Sequence, residues 1–453
     1  MNLKLSYYTI FSNVDENVIA YSTRTGETLV FENKYYQYLL KNEFEKLPQP
    51  LVYQLIETEL AVPVEENELA EIIQQNKIGI SDNRTLYQVV QPSANCQLGC
   101  GYCGQKHTKH QFSADYDEVL INRLDHKLSS NKKFDKLYVA WFGGEPLMSL
   151  PNIYRLTPKF KKLAEKHNIK YGAKIVTNGL SLKPRLFWDL AKNLNVDFFE
   201  VTLDGTAEYH DKRRFVKSGA DSFDLIFNNL SNIFELEDYE SLDVTFNIRC
   251  NVDNRNFDGV VPLIELMNKH NFQEKISGFY VAPIHSWGNG ASEMSLKHEE
   301  FADKEIEWFM TQYENGFSPW ILPGRKKEVC MVVNPDAELV DAFGDIYNCT
   351  EIPYVPGYED SGYVLSNMKE VTPSQKFEKR PFSDWNDTIL AEDERFPCPT
   401  CKMLPVCGGA CPKNWEEGYI SCPSAKFNIK DRLALSYLIA QKGIEVFTEN
   451  QEV

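Results

Sequence analysis

Blocks of apolar and polar residues alternate along the middle of the chain, from about residue 86 to residue 290. Short apolar runs with the length of strands are separated by amphipathic segments with the length of helices. The predicted strands are 86–92, 136–142, 174–177, 197–203, 244–249 and 278–283, and the clearest helices are 151–167, 223–234 and 260–270. Strand–helix alternation gives a parallel sheet with right-handed crossovers. We therefore predict an α/β fold that contains a partial (β/α)6 TIM-like barrel.

The first 85 residues have a different pattern and are predicted to form a separate small unit. Two alternating runs at 18–22 and 28–31 flank a polar turn that contains Gly26, which predicts a β-hairpin. Helical patterns follow at 35–40 and 51–60, and then an acidic helix at 66–75. A hairpin with short helices is similar to a winged-helix unit. The alternative is a simple cap on the next domain.

The regular alternation ends at about residue 295. A helix is predicted over 299–313, a loop-rich stretch with many cysteines follows, and an amphipathic helix is predicted over 428–446. We therefore divide the chain into three predicted domains: the small unit at 1–85, the partial barrel at 86–295, and a cysteine-rich domain with a last helix at 296–453.

Composition and charge exclude several classes of protein. Hydrophobic residues make up 43% of the 453 residues, which fits a globular protein rather than a disordered one. The net charge of −17 argues against a nucleic acid as partner, since phosphates would be repelled. No apolar run approaches the roughly 20 residues of a membrane span, and the start lacks a signal peptide. The cysteines cluster at metal-ligand spacings, so we predict a reducing, cytoplasmic environment and no membrane partner.

Three cysteines follow the first predicted strand of the barrel directly: Cys96, Cys100 and Cys103. Thiolates hold iron–sulfur clusters, and a cubane cluster offers four iron corners. The next cysteine is Cys250, so one iron of such a cluster would have no protein ligand nearby. An open coordination position is typical of a site of chemistry. The alternative is a zinc knuckle or three unrelated thiols.

Polar or glycine-rich segments also follow the other predicted strands. They are Gly143-Gly144-Glu145-Pro146, Asn178-Gly179, Asp204-Gly205, and Asn251 with Asp253. Because the carboxyl ends of parallel strands meet at one edge, we expect these segments to surround one site beside the cysteine loop. The alternative is that loops between strands and helices are generally rich in Gly, Asn and Asp.

A second group of cysteines lies in the C-terminal third of the chain. Its members are Cys330, Cys349, Cys398, Cys401, Cys407, Cys411 and Cys422. The four at 398, 401, 407 and 411 could make a zinc site, but the whole group is too large for one zinc ion. A division into four plus three implies two clusters, one with a ligand that is not cysteine or with a vacant iron. Gly344 would permit a tight hairpin that returns Cys349 to the site.

These motifs resemble those of the radical S-adenosylmethionine (SAM) enzymes, and the resemblance covers roughly residues 86 to 425. Cys96-x3-Cys100-x2-Cys103 is similar to the family's cluster motif, and Gly143-Gly144-Glu145-Pro146 is similar to its motif for the methionyl amino group. The C-terminal cysteine pattern, which includes Gly344-x4-Cys349, resembles the SPASM extension. Together the paired motifs are highly specific.

The resemblance implies a role for each residue of the barrel motifs. Cys96, Cys100 and Cys103 would hold the catalytic 4Fe–4S cluster, whose open iron would bind SAM. The residues implied to contact SAM are Gly143, Gly144 and Glu145 at the ammonium group, Thr202, Arg214 at the carboxylate, and Arg249 and Asn251 near the ribose. Arg213 is a close competitor of Arg214.

The resemblance also implies two auxiliary 4Fe–4S clusters, which makes three clusters in all. By the family pattern, the first would be held by Cys330, Cys349 and Cys411, with its fourth ligand unassigned. The second would be held by Cys398, Cys401, Cys407 and Cys422. Cys250 is left over and is predicted to pack as a small hydrophobic residue.

As a function, the resemblance implies a metal-binding oxidoreductase. The reduced cluster would pass an electron to SAM, and the resulting 5′-deoxyadenosyl radical would remove a hydrogen atom from the substrate. A low-potential donor such as flavodoxin or ferredoxin would supply the electron. SPASM enzymes mostly modify peptides or proteins, and residues 1–85 stand where ribosomal-peptide (RiPP) maturases keep a leader-binding domain. We therefore predict a peptide maturase that installs a cross-link or similar modification in a ribosomal precursor peptide.

Two alternatives remain. The first is an anaerobic sulfatase maturase, which oxidises Cys or Ser of a protein to formylglycine. In that group an Asp follows the cysteine of the Gly-x4-Cys element, whereas Thr350 follows Cys349 here, which weakens this interpretation. The second is a non-catalytic metal-binding or electron-transfer protein. It leaves Gly143-Gly144-Glu145-Pro146 unexplained.

Overall fold

The computed structural model describes residues 2–285, 287, 289–391, 395–440 and 446–447. The strands are β1 (Leu3–Leu5), β2 (Thr9–Val14), β3 (Asn17–Ser22), β4 (Thr28–Glu32), β5 (Ala61–Pro63), β6 (Thr85–Val90), β7 (Lys136–Trp141), β8 (Lys170–Thr177), β9 (Val196–Thr202), β10 (Thr245–Val252), β11 (Gly278–Pro283), β12 (Glu338–Val340), β13 (Asp345–Tyr347), β14 (Ser366–Asn367) and β15 (Val446–Phe447). The α-helices are α1 (Asn33–Leu40), α2 (Gln49–Glu57), α3 (Glu68–Ser81), α4 (Asp117–Ser130), α5 (Leu150–Lys166), α6 (Pro184–Lys192), α7 (Ala207–His210), α8 (Phe223–Phe234), α9 (Val260–Lys269), α10 (His298–Glu314), α11 (Trp385–Thr388), α12 (Leu404–Cys407), α13 (Pro412–Glu416) and α14 (Ala425–Ala440).

A nine-stranded sheet in the order β11-β10-β9-β8-β7-β6-β12-β13-β14 forms the centre of the molecule. Strands β6 to β11 are all parallel, and each pairs with its neighbour along the chain. Helices α4 to α9 connect them and pack against the sheet, as α5 shows by burying Ile153, Leu156, Phe160 and Leu163 at helical spacing. The predicted mixed α/β fold with its run of strand–helix units is therefore confirmed.

Some element ends differ from the predictions. Strand β8 begins at Lys170 rather than at 174, because the polar start of this strand already pairs with β7 from Lys136 onward. Helix α3 begins at Glu68 after Asn67, whose side chain caps the helix by accepting the Ala70 N–H. The predicted last helix begins three residues earlier, at Ala425, and residues 441–445 of that prediction lie outside the described residues.

Strand β12 attaches the cysteine-rich region to the barrel. It pairs in parallel with β6, with Glu338 opposite Gln88 and Val340 opposite Val90. It then turns into β13 through a hairpin at Gly344, whose φ of +86° is a conformation that favours glycine. An added Cβ at Gly344 would lie 2.8 Å from the Tyr116 ring. The hairpin expected at this glycine therefore forms, and it leads the chain towards Cys349.

The N-terminal part of the chain contains the predicted hairpin, extended to an antiparallel sheet of β2, β3 and β4. One face packs on α1 and α2 through Val18, Ala20 and Phe31. The other face packs on α14, where Ile19 and Val30 join a core with residues of the C-terminal region. Strand β15 pairs in parallel with β4. This small sheet is therefore held between its own helices and the last helix of the chain.

No helix in the described part of the chain is long and apolar enough to cross a membrane.

The β12–β6 junction contains a buried ion cluster whose loss should destabilise the fold. Glu338 accepts hydrogen bonds from Arg123 Nε at 2.7 Å and Arg123 Nη2 at 2.6 Å, and it pairs with Lys127 at 3.0 Å. The Glu338→Gln substitution leaves these buried cations without their counter-charge. We expect it to lower the free energy of unfolding by about 3 kcal/mol, measured by urea denaturation. The matched control Asp387→Asn breaks the exposed pair with Lys77 and should cost less than about 1 kcal/mol.

The same cluster predicts a dependence of stability on pH. Burial alone would raise the pKa of Glu338, but Lys127 and Arg123 outweigh burial and lower this pKa to about 2. A carboxylate with a depressed pKa stabilises the folded state fully above its unfolded pKa, and this contribution disappears as the pH falls towards 2. The stability gap between wild type and Glu338→Gln should therefore shrink over this acid range. A gap that stays constant down to the lowest pH would contradict the assignment.

Candidate functional site

A cavity of about 210 Å³ lies at the carboxyl ends of the parallel strands. Its walls are the loops that follow β6, β7, β8, β9 and β10, as the rule for parallel sheets predicts. The structure brings together around it the barrel residues that were expected to hold the cluster or to contact SAM. These residues are Cys96, Cys100, Cys103, Gly143, Gly144, Glu145, Thr202, Arg214, Arg249 and Asn251.

The cysteine loop is fixed by backbone contacts with the segment 213–216. The Gly99 N–H donates to the Phe215 carbonyl and the Gly101 N–H to the Arg213 carbonyl, each at 2.9 Å. Leu98 and Val216 form an antiparallel bridge. The loop is therefore held on the same segment that supplies Arg214 to the cavity.

The two adjacent glycines after β7 touch the start of the cysteine loop. Gly143 and Gly144 have φ values of +76° and +52°. A Cβ on Gly144 would lie 2.6 Å from the Asn95 carbonyl oxygen, and a Cβ on Gly143 would lie 2.3 Å from the Gln91 side chain. The backbone of this loop thus approaches the residues just before Cys96 more closely than any other residue type allows.

The Glu145 side chain is buried and joins two loops. Its Oε1 accepts hydrogen bonds from Thr177 Oγ1 at 2.7 Å and Leu147 N at 3.0 Å, and its Oε2 accepts one from Asn178 N at 2.8 Å. Burial raises the pKa of this carboxyl, although these donors act in the opposite direction. Both carboxylate oxygens therefore hold the loops after β7 and β8 together beneath the cavity.

A network around Tyr102 orients the Arg214 side chain. Arg214 Nη1 donates to the Tyr102 hydroxyl at 2.6 Å, and this hydroxyl donates to Asp204 Oδ2 at 2.7 Å. Asp204 Oδ1 accepts the Asn251 N–H at 2.8 Å, and Arg249 Nε donates to Asn251 Oδ1 at 2.7 Å. Arg214 Nε is buried and has no hydrogen-bond partner among the described residues. A fixed cation with a spare donor therefore lines the cavity beside Cys100.

The neighbouring residues His210 and Arg213 stabilise the loops around the cavity. Arg213 is buried, pairs with Asp253 at 3.2 Å and packs over the Tyr102 ring. His210 Nδ1 accepts the Asp204 N–H at 3.1 Å, and burial holds the pKa of this histidine well below its usual range. Arg214 and Arg213 were the two candidates for contact with the SAM carboxylate. Arg214 lines the cavity, and Arg213 does not.

The second cysteine group lies around two further cavities. A cavity of about 700 Å³ is lined by Cys330, Cys349, Cys411 and Cys422. A small cavity is lined by Cys398, Cys401, Cys407 and Cys422. The first three of these cysteines therefore lie at the larger cavity, and those at 398, 401 and 407 lie at the small one. Cys422 lines both cavities. Cys250 lies in the apolar core between the sheet and its helices.

The cysteines beside the first cavity are free thiols, and burial opposes their ionisation. All eleven cysteines are free, and burial raises the pKa of Cys96 to about 12 and that of Cys103 to about 11. Such thiols ionise readily only beside a cation such as a cluster iron. In a zinc site the sulfurs lie about 2.3 Å from the ion and hence close together. Among the described residues, no three His, Cys, Asp or Glu side chains are grouped in that way.

Sequence reasoning missed several residues of the cavity lining. The role of the Tyr102 hydroxyl was not predicted, and its position just before Cys103 was the only hint. Gln105, His285 and Glu351 also line the cavity. Glu351 lies 100 residues beyond Asn251, the last of the barrel motifs, and no spacing rule points to it.

Much of this chain is similar to known proteins. The family model described as Radical SAM superfamily matches residues 90–281, which hold most of the parallel strands. The serine-type anaerobic sulfatase-maturating enzyme of Bacteroides thetaiotaomicron is 25% identical over 367 residues, which cover 73% of this chain and 83% of that relative. The cysteine-type anaerobic sulfatase-maturating enzyme of Clostridium novyi is 26% identical over 361 residues, which cover 74% of this chain and 90% of that relative.

A solved structure shares the fold. It is native anSMEcpe with bound AdoMet and Cp18Cys peptide, with a TM-score of 0.56 and 18% sequence identity. The match covers 79% of this chain and 97% of that chain. At this level of identity the likeness concerns the arrangement of helices and strands.

The contact between the two loops can be tested at Gly144. In Gly144→Ala the new Cβ meets the Asn95 carbonyl oxygen, so we expect a loss of about 2 kcal/mol in unfolding free energy beyond the cost of backbone strain. The matched control is Gly219→Ala, because Gly219 has a φ of +91° but nothing within 4 Å of its added Cβ. Urea denaturation of both variants measures the difference. Equal losses in the two variants would mean that the loops are not in close contact.

Proposed function

The chain contains a radical SAM domain at residues 90–281, and we propose that it uses this domain to modify a peptide. A radical SAM domain binds SAM and a 4Fe–4S cluster. Cys96, Cys100 and Cys103 are the residues that would hold the cluster, with one iron left for SAM. When bound, the reduced cluster and SAM supply a 5′-deoxyadenosyl radical that removes a hydrogen atom from a substrate C–H bond.

The residues around the cavity fit SAM as a ligand. Gly143 and Gly144 line the cavity beside Cys96, where their backbone would meet the methionyl ammonium group. Arg214, held by Tyr102 and carrying an unpaired Nε, would neutralise the methionyl carboxylate. The remainder of SAM would contact Thr202, Arg249 and Asn251, which line the same cavity. Together these groups would bind and orient SAM and keep water out.

We also propose that the second cysteine group holds two auxiliary 4Fe–4S clusters. Cys398, Cys401, Cys407 and Cys422 surround one small cavity and would supply four ligands. Cys330, Cys349 and Cys411 lie together at the larger cavity and would supply three. The cluster at the larger cavity would keep an iron without a cysteine ligand. An electron donor of low potential, such as flavodoxin or ferredoxin, would serve the enzyme.

The observation that supports a peptide substrate best is the position of the larger cavity. It has a volume of about 700 Å³ and shares Pro283, Ile284, His285 and Glu351 with the cavity of the cysteine loop. A space of this size next to the reacting groups can hold several residues of an extended chain. Two relatives are named as sulfatase-maturating enzymes, and the related fold holds AdoMet together with a peptide.

A ribosomal precursor peptide is the substrate that we favour. Residues 1–85 form an antiparallel sheet with helices, a unit that could bind a leader segment. The second candidate is maturation of a sulfatase, favoured by the two curated relatives. Thr350, which follows Cys349, stands where that group has an aspartate, so the precursor peptide remains the better proposal.

Cleavage of SAM is the first test. Dithionite-reduced enzyme with SAM should release 5′-deoxyadenosine, detected by chromatography, and Cys100→Ala should reduce the release to background because it removes a cluster ligand. The control Cys250→Ala should retain cleavage, because Cys250 packs in the core away from the cavity. Cleavage that survives in Cys100→Ala would refute the assigned role of the loop.

The number of clusters can be counted independently. Anaerobic reconstitution should load about twelve irons per chain if three cubane clusters bind. Cys398→Ala, which disrupts only the small cavity, should lower the content to about eight irons, and Cys250→Ala should leave it unchanged. Iron and zinc would be measured by mass spectrometry of the metals. A wild-type content of about four irons, with zinc present, would contradict the auxiliary clusters.

A further inference from the structure

Three cavities of the molecule meet at one side chain, that of Glu351. The first is the cavity of the cysteine loop, and the second is the larger cavity beside Cys349. The third has a volume of about 590 Å³ and lies inside the open barrel, where Tyr87, Lys174 and Tyr280 line it. Among the described residues, Glu351 is the one that lines all three.

This position limits how a peptide can reach the site. Under the proposed function, SAM occupies the first cavity, so the peptide has to lie in an adjoining cavity. The hydrogen atom that is removed must come close to SAM, since reacting atoms lie within about 3.5 Å of each other in a productive complex. The reacting part of the peptide therefore has to lie where an adjoining cavity opens into the first one. Both openings include Glu351.

The surroundings of Glu351 fix its backbone and leave its carboxylate available. Its carbonyl oxygen accepts a hydrogen bond from Trp287 Nε1 at 2.7 Å. Its Oε2 lies 3.5 Å from His285 Nε2, while its Oε1 has no hydrogen-bond partner in the described part of the chain. The side chain is 28% exposed, and that exposure is towards the cavities that it lines. A charged acceptor therefore stands at the junction with one oxygen unused.

The other carboxylates of these walls are already engaged. Glu145 is fully hydrogen-bonded between two loops, and Glu200 accepts a hydrogen bond from the Tyr280 hydroxyl at 2.7 Å. Glu305 binds Arg432 and Asn428. Within the described residues, Glu351 is the one carboxylate that lines all three cavities, and its Oε1 can accept a hydrogen bond from a ligand. An extended peptide offers such a donor at the main-chain N–H of each residue apart from proline.

We propose that Glu351 binds the substrate peptide by accepting a main-chain N–H next to the carbon that loses hydrogen. This assignment rests on the proposed function and adds to it the residue that positions the substrate. A charge-assisted hydrogen bond in a cavity of low polarity both strengthens binding and fixes the orientation of the peptide. Glu351 is therefore a substrate-positioning residue and takes no part in holding SAM.

The competing role for Glu351 is that of a ligand to an iron of the first auxiliary cluster. Glu351 is two residues from Cys349 and lines the same cavity as Cys330 and Cys411. The two roles predict different results. A cluster ligand would change the iron content or the electron paramagnetic resonance spectrum when it is removed. A peptide contact would leave both unchanged.

The test compares Glu351→Ala and Glu351→Gln with the matched control Glu328→Gln in the reconstituted enzyme. Glu328 lines only the barrel cavity and accepts hydrogen bonds from Asn83 and Asn334, of which the single amide oxygen of glutamine can keep one. The probes are fluorescein-labelled synthetic peptides that cover each short reading frame next to the gene. Peptide affinity is measured by fluorescence anisotropy, SAM affinity by calorimetry, and the clusters by iron content and electron paramagnetic resonance.

We expect Glu351→Ala to weaken peptide binding by about ten-fold or more, as the loss of a hydrogen bond to a charged group implies. Glu351→Gln should recover part of the affinity, because its amide oxygen still accepts a hydrogen bond. SAM affinity, iron content and spectra should match wild type in all three variants, and Glu328→Gln should bind peptide normally.

Any other outcome contradicts the role of Glu351 in binding the peptide. Wild-type peptide affinity in Glu351→Ala, a parallel loss of SAM affinity, or a changed cluster spectrum would overturn it while the proposed function stands. If no peptide of the panel binds the wild-type enzyme although SAM binds and is cleaved, the peptide function itself fails. The assignment of Glu351 then fails with it.

Discussion

The parallel pairing of β12 with β6 determines which residues line the site. Strands β6 to β11 alone would form a cavity with the cysteine loop and the two glycines. The added strand, fixed by Glu338 between Arg123 and Lys127, turns the chain at Gly344 and carries Cys349 to the rim of the barrel. The cysteine-rich region thereby becomes a wall of the same cavities, and Glu351 reaches their junction.

Within the barrel, close contacts between loops hold the residues of the first cavity in place. Gly144 lies against Asn95, the Glu145 carboxylate joins the loops after β7 and β8, and Tyr102 links Arg214 to Asp204. These contacts fix the cysteine loop and the cationic group in one geometry before any ligand binds. Preorganised groups of this kind bind the carboxylate of a ligand without a further cost of ordering. The acidic surface of the chain therefore coexists with a site that presents a buried cation.

The sequence allowed most of the fold and of the first cavity to be predicted. Strand–helix alternation located the parallel strands β6 to β11, and the rule for their carboxyl ends placed Gly143, Asn178 and Asn251 at one site. The pairing of β12 with β6 was not predicted, because a three-residue strand carries almost no periodic pattern. Glu351 was missed for the same kind of reason. Its position follows from how two distant segments pack, which neither composition nor spacing encodes.

The central proposal is that this protein takes a hydrogen atom from a peptide by radical SAM chemistry. The most direct measurement is mass spectrometry of the 5′-deoxyadenosine that forms when the reduced enzyme acts on SAM with a synthetic peptide whose carbon-bound hydrogens are deuterium. The account predicts that the released 5′-deoxyadenosine carries deuterium from the peptide and that the peptide is modified in the same sample. Release of 5′-deoxyadenosine without any deuterium, from a peptide that binds the enzyme, would contradict the account.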